Sequence, residues 1–121
     1  MLLDKFYTLQ SATTQDGAVK AAISFHRNHP IFEGHFPGHP VVPGVCMIQI
    51  VREIMEKETV SRLKIATGEN IKFLAVINPD QNKEVDVAIN FTPSEKGFTV
   101  NASIQSGAVT FFKFKGSLER I

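Results

Sequence analysis

The sequence predicts an α+β fold in which an antiparallel β-sheet packs around one long helix. Three observations predict this fold: a single long helix-like segment, several segments of alternating polar and apolar residues, and turn-forming residues between them at hairpin spacing. Alternation indicates strands with one buried and one solvated face, which is typical of antiparallel sheets. The 121 residues are expected to form one domain, residues 1–121, with one hydrophobic core.

The chain opens with a predicted hairpin. Residues 5–12 and 18–26 favour strands, and Asp16-Gly17 between them is a strong turn signal. Residues 28–44 follow and contain four of the six prolines of the chain. Because proline disrupts both helices and strands, this segment is predicted to be a structured loop.

The predicted long helix covers residues 45–58. Its first half is apolar nearly all round and its second half is amphipathic, as expected for a helix that enters a core and emerges from it. Turn-forming residues separate the strand-like segments that follow. These segments are residues 63–66, 70–77, 84–91, 98–105 and 109–118. We expect a sheet of five to six strands around the helix.

Composition argues against several classes of partner. With 13 basic and 12 acidic residues the net charge is +1, so no overall field favours nucleic acid or an anionic membrane. The single cysteine, Cys46, cannot form an intrachain disulfide, which favours a reducing compartment. The N-terminus lacks the apolar region of a secretory signal, and no apolar run is long enough to cross a membrane. A cytoplasmic protein is predicted.

Residues 28–45 read NHPIFEGHFPGHPVVPGV and contain the first candidate catalytic residue, His35. The prolines of this segment fix φ, while Gly38 and Gly44 allow backbone conformations and close approaches that other residues cannot make. Such a loop is suited to holding one side chain in place at the start of a helix. A histidine there can accept a proton near neutral pH.

This segment resembles the hallmark of the hotdog-fold 3-hydroxyacyl-(acyl carrier protein) dehydratases of fatty acid synthesis, which is roughly NxPFFxGHFPGxPVxPGV. The resemblance extends more weakly through residues 2–4 and 71–80. It implies a hotdog fold in which the sheet wraps the helix, and a homodimer, or a higher oligomer built from it, with composite sites at the interface. Acyl carrier protein would deliver the acyl chain on phosphopantetheine, and no cofactor or metal is implied.

The resemblance also implies roles for individual residues. His35 is expected to remove the Cα proton of a 3-hydroxyacyl thioester, while a helix carboxylate from the partner subunit assists departure of the hydroxyl as water. The free N–H groups of Gly44 and Val45 at the helix N-terminus are expected to hold the thioester oxygen. The backbone of Gly38 is expected to contact the thioester as well. The leading prediction is therefore a lyase.

The sequence departs from the family pattern at the carboxylate, because Gln49 occupies that position. An amide cannot act as a general acid, although it can orient a hydroxyl or a water. Glu53 follows one turn later on the same helix face and is a candidate acid acting through water; alternatively it pairs with Arg52 or with solvent. Two other functions stay open: an incomplete subunit that binds acyl chains and pairs with an acid-bearing homologue, and an acyl thioesterase.

Overall fold

The structure, a computed structural model, describes residues 1–34 and 38–121. In this part of the chain, six strands form one antiparallel sheet and a long helix packs against it, which confirms the predicted α+β class. In chain order the elements are β1 (Tyr7–Gln15), β2 (Ala18–Phe25), α1 (Pro30–Gly34), α2 (Gly44–Thr59), β3 (Leu63–Phe73), β4 (Glu84–Pro93), β5 (Gly97–Ser106) and β6 (Val109–Arg120).

The sheet has the strand order β1-β2-β4-β5-β6-β3, so β1 and β3 are its edges. The β1–β2 hairpin turns at Asp16 and Gly17, whose φ angles of 52° and 75° are both positive. This is the backbone that a two-residue hairpin turn requires and that Asp-Gly favours. β1 extends to Gln15, three residues further than predicted, because this tight turn lets residues 13–15 pair with β2.

Residues 63–77 correct the predicted strand boundaries. They were expected to contain two strands, but residues 63–73 form the single strand β3. Thr67 and Gly68 stay paired with Ser117 and Gly116 of β6, and two register shifts absorb the irregular sequence between residues 65 and 70. A Cβ on Gly116 would lie 2.1 Å from the Thr67 carbonyl oxygen. Glycine therefore permits the close approach of the two strands here.

Residues 30–34 also differ from the prediction, since this part of the expected loop forms the short helix α1. Proline is tolerated in the first turn of a helix, and the ring nitrogen Nδ1 of His29 accepts the N–H of Ile31 at 3.1 Å. Phe32 is buried and stacks on Phe6 with a centroid separation of 4.8 Å. The segment that carries His35 is therefore preceded by a helix anchored in the core.

The helix α2 confirms the predicted helix to within one residue at each end. It begins after Pro43, whose ring fixes φ and whose backbone is extended, and it ends where Val60 adopts a left-handed conformation with φ of 49°. Full burial of one of its isoleucines stabilises the fold by about 2 kcal/mol. The apolar side chains that it buries against the sheet are Cys46, Met47, Ile50, Val51, Ile54 and Met55.

Within residues 1–34 and 38–121, no helix has the length and apolar character that crossing a bilayer demands.

Candidate active site

Three of the predicted site residues share one face of α2. Val45, Gln49 and Glu53 are spaced four residues apart, so their side chains lie above one another on successive turns. Val45 is 72% exposed, Gln49 is partly buried and Glu53 is 1% exposed. This face therefore runs from the open N-terminus of the helix into the interior of the protein.

The N-terminus of α2 lacks a side-chain cap. Pro43 precedes it and has no side-chain acceptor, while its carbonyl oxygen accepts the N–H groups of Cys46 and Met47 at 3.0 and 3.3 Å. The N–H groups of Gly44 and Val45 belong to the first turn, where no intrahelical acceptor exists, and the helix dipole makes this end attractive to negative charge. The expected role of these two groups in holding a carbonyl oxygen fits this geometry and stays a prediction.

Gly44 lies against an aromatic side chain that the sequence did not connect with the site. A Cβ on Gly44 would be only 2.7 Å from two atoms of the Phe73 ring. Phe73 ends strand β3, is 54% exposed and stacks on Phe112 with a centroid separation of 5.4 Å. Gly44 therefore makes room for an aromatic ring beside the helix N-terminus, in addition to any room that it leaves for a substrate.

The predicted base, His35, lies outside the described residues together with Phe36 and Pro37. Gly38, which follows them, has a φ of 83°, and a Cβ there would meet no atom within 4 Å. Its backbone conformation, rather than space, thus favours glycine. Further along, the N–H of Val42 donates to the carbonyl oxygen of Ile77 at 3.0 Å, which ties the chain before α2 to the fold.

Glu53 is the one buried charged side chain in the described part of the chain. Its Oε2 accepts the N–H of Leu2 at 2.9 Å and the Nε2–H of Gln49 at 2.7 Å. Its Oε1 accepts the N–H of Leu3 at 2.8 Å and the hydroxyl of Tyr7 at 3.1 Å. A buried carboxylate is tolerable only with such partners. Glu53 therefore fastens the N-terminal segment to α2.

The alternative expectation, that Glu53 pairs with Arg52 or with solvent, was wrong. Arg52 pairs instead with Glu56, at 2.8 Å, and solvent barely reaches Glu53. The reason is that residues 2–7 cover this face of α2, and they are nearly fifty residues away in sequence. The proposed role of Glu53 as an acid stays a prediction, although all four of its hydrogen-bonding partners are donors.

Burial and the nearby carboxylate of Glu53 raise the pKa values of Tyr7 and Cys46. Burial, followed by the charge of Glu53 and the hydrogen bond to it, raises the pKa of Tyr7 well above its ordinary value of 10.0. Burial, and to a smaller extent Glu53, raises the pKa of the Cys46 thiol above its ordinary value of 9.0. Both groups therefore stay neutral in the folded protein at neutral pH, and Cys46 acts as a core residue.

These shifts predict a loss of stability in alkali. The folded state holds the Tyr7 proton to a higher pH than the unfolded state does, so the free energy of unfolding falls as the pH rises above about 10, by about 1.4 kcal/mol per pH unit. Y7F should remove this contribution, so that its free energy of unfolding depends less steeply on pH than that of wild type. Urea denaturation of both proteins between pH 8 and 11 measures the difference. The loss that Cys46 adds, from about pH 9 upward, should persist in Y7F. Identical slopes for Y7F and wild type would contradict the prediction.

In the described residues, His, Cys, Asp and Glu side chains form no group of three or more that could hold a metal ion.

Comparison with known proteins finds a protein family whose model matches this sequence. The family model ApeI-like, described as ApeI dehydratase, matches residues 10–111. The 3-hydroxyacyl-[acyl-carrier-protein] dehydratase FabZ of Wolbachia pipientis wMel is 29% identical over 105 residues, which cover 81% of this chain and 63% of the relative. FabZ of Caulobacter sp. strain K31 is 33% identical over 92 residues, which cover 74% of this chain and 51% of the relative. The chain thus spans about half to two thirds of the length of these relatives.

Solved structures of similar shape confirm the hotdog fold. A chain of the dehydratase heterocomplex ApeI:P from Xenorhabdus doucetiae matches with a TM-score of 0.75 at 19% identity, over 93% of this chain and 97% of that one. An uncharacterized protein from Erwinia carotovora subsp. atroseptica matches with a TM-score of 0.70 at 24% identity, over 94% of both chains. At these identities the likeness concerns the fold, whereas the family model matches most of the sequence. The chain belongs to the ApeI-like dehydratase family.

Proposed function

We propose that this protein is a dehydratase that acts on 3-hydroxyacyl thioesters of acyl carrier protein and eliminates water to give the 2-enoyl thioester. The observation that carries the proposal is the arrangement around α2. The segment with His35 leads into an uncapped helix N-terminus at Gly44 and Val45, and Gln49 lies one turn later on the same face. Relatives named as 3-hydroxyacyl-[acyl-carrier-protein] dehydratases support this class of substrate.

Each part of the site has a task in this reaction. His35 takes the Cα proton, and the N–H groups of Gly44 and Val45 stabilise the negative charge that develops on the thioester oxygen. The C3–O bond then breaks, and the oxygen leaves as water after receiving one proton. Because the amide of Gln49 has no proton to give, the imidazolium formed at His35 supplies it. Gln49 orients the hydroxyl, and Gly38 contributes backbone contacts to the thioester.

We propose that the active form is a homodimer joined along β3. This strand is an edge of the sheet, and apolar side chains are exposed on it and just beyond it: Ile65, Ile71, Phe73, Leu74 and Val76. Long edge strands with exposed apolar residues favour pairing with another chain. Phe73 connects this edge to Gly44, so a partner there would lie beside the helix N-terminus. Sedimentation at micromolar concentration should give the mass of a dimer; a monomer would refute this arrangement.

A second candidate function, the incomplete subunit that pairs with an acid-bearing homologue, is favoured by one specific observation. The residue in the family's acid position is an amide, and its NH₂ group is already bound to Glu53. Such a subunit would supply His35 and the acyl-binding surface, and its partner would supply the acid. The thioesterase alternative has no comparable support, because both carboxylate oxygens of Glu53 are occupied by donors.

The proposed function is tested by supplying the purified protein with 3-hydroxyacyl-(acyl carrier protein) and following the 2-enoyl product by mass spectrometry. Wild type should form the product, and H35A should be slower by about 10²-fold or more, as expected for loss of a general base. H39A is the matched control, since His39 is an exposed histidine close by in sequence, and it should retain activity. Equal rates for H35A and wild type would refute the base. Product formation only after an acid-bearing homologue is added would favour the second candidate.

A further inference from the structure

We propose that Glu53 is a positioning residue that makes the site selective for a 3-hydroxyl over a 3-oxo group, because it fixes the amide of Gln49 with its oxygen facing away from the core. The inference rests on the proposed function, since it concerns which acyl thioesters that site accepts. It assigns to Glu53 a task other than that of an acid.

The orientation of the Gln49 amide follows from its partner. A carboxylate accepts hydrogen bonds and cannot donate them, so the end of the amide that lies 2.7 Å from Glu53 Oε2 must be the NH₂ group. The opposite orientation would place an amide oxygen against a carboxylate oxygen. The amide oxygen, Oε1, is therefore the atom that Gln49 presents on its other side.

Glu53 itself is held in place from the opposite side. The backbone N–H groups of Leu2 and Leu3 bind one carboxylate oxygen each, and Tyr7 adds a third donor. Because two of these donors are main-chain groups of a folded turn, in which the Leu2 carbonyl also accepts the N–H of Phe6 at 2.7 Å, the carboxylate cannot rotate freely. The fixed carboxylate therefore also fixes the NH₂ group of Gln49 that donates to it.

An outward amide oxygen discriminates between two oxidation states of the substrate. A 3-hydroxyl can donate its proton to Gln49 Oε1, whereas a 3-oxo group has only an acceptor oxygen to offer. Two acceptors facing each other in a partly buried site leave both without a partner, which is costly. Sites built to bind a hydroxyl reject analogues that lack it much more strongly than apolar pockets do.

The variant E53Q should allow the opposite orientation of the Gln49 amide, so that a ligand can select it. Its single amide oxygen can replace only one of the two carboxylate oxygens, and either choice costs one of the bonds from Leu2 and Leu3. In the place of Oε1 it accepts the N–H of Leu3 and the hydroxyl of Tyr7, and its NH₂ group then takes the place of Oε2 and faces Gln49. The amide of Gln49 then turns its oxygen toward position 53 and presents its own NH₂ group outward. A donor at this position binds a 3-oxo group as well as a 3-hydroxyl, since both can accept a hydrogen bond. The selectivity should therefore disappear, mainly through tighter binding of the 3-oxo ligand.

The experiment compares the affinities of three pantetheine analogues by calorimetry, each with an amide in place of the thioester and the same chain, carrying a 3-hydroxyl, a 3-oxo group or neither. Wild type should prefer the 3-hydroxyl to the 3-oxo ligand by about 10- to 100-fold, and E53Q should show a ratio near one. Y7F is the matched control. It removes another donor from the same carboxylate without touching Gln49, so it should keep the wild-type ratio.

The outcomes separate the inference from the proposed function. A ratio near one in wild type, or an equal change of the ratio in Y7F and E53Q, would overturn the positioning role even if wild type dehydrates its substrate. Failure of all three analogues to bind would overturn the inference, whereas the proposed function is decided by product formation from 3-hydroxyacyl-(acyl carrier protein). If E53Q does not fold, Q49M replaces it, because methionine removes the acceptor and leaves Glu53 intact; an unchanged ratio in Q49M would also overturn the inference.

Discussion

Replacing Gln49 with glutamate is expected to raise the rate of dehydration of 3-hydroxyacyl-(acyl carrier protein) by about 10²-fold or more, the usual contribution of a general acid. In wild type, Gln49 occupies the position at which the resemblance implies an acid, and its side chain has no transferable proton. In Q49E, a carboxyl group would face Glu53 across the space that the 2.7 Å amide contact now occupies. Two carboxylates at such a distance cannot both be ionised, so the pair holds one proton near neutral pH.

That shared proton is the reason for the expected gain, because it is available to the departing hydroxyl. Single-turnover rates over a range of pH measure the effect, and the gain should fade as the pH rises and the pair loses its proton. Q49M is the control, since it approximates the shape of glutamine without a titratable group, and it should show no gain. Equal rates for Q49E and wild type would mean that position 49 does not need an acid. If wild type shows no detectable turnover and Q49E does, the result would favour the incomplete-subunit function.

The shared helix face of Gln49 and Glu53 could be predicted from the sequence, but the environment of Glu53 could not. Residues four apart on a helix are neighbours whatever the rest of the fold does, so their shared face followed from spacing alone. What covers that face is decided by Leu2, Leu3 and Tyr7, which are 46 to 51 residues away. Because the second half of α2 reads as amphipathic, helix periodicity suggested a solvated acid where the fold buries one.

The same distinction between local and long-range signals explains the other differences. The start of α2 was predicted to within one residue because Pro43 is a local signal. The division of β3 was wrong because Thr67 and Gly68 favour a turn locally, while pairing with β6 keeps them in the sheet. The ring of Phe73 beside Gly44 depends on the register of an edge strand, which composition does not reveal.

Replacing Glu53 with alanine is expected to lower the free energy of unfolding by about 3–5 kcal/mol, since four donors lose their acceptor and each unsatisfied buried donor costs about 1–3 kcal/mol. The expected loss is smaller than the sum of four such costs, because Leu2 and Leu3 are only partly buried and water can reach their N–H groups. A loss of this size is a large share of the about 5–15 kcal/mol that stabilises a typical domain.

The matched control for E53A is E58A, on the same helix. Glu58 accepts the Thr14 hydroxyl at 2.7 Å in an exposed setting, and a single hydrogen bond of this kind contributes about 1 kcal/mol. Urea denaturation with a common m-value compares the two variants, and hydrogen exchange of the Leu3 amide reports directly on the turn that Glu53 holds. If E53A and E58A were equally stable, and Leu3 kept its protection, Glu53 would not be fastening the N-terminal segment to α2. A selective loss of protection at Leu3, together with the larger loss of stability, is the result that the four hydrogen bonds predict.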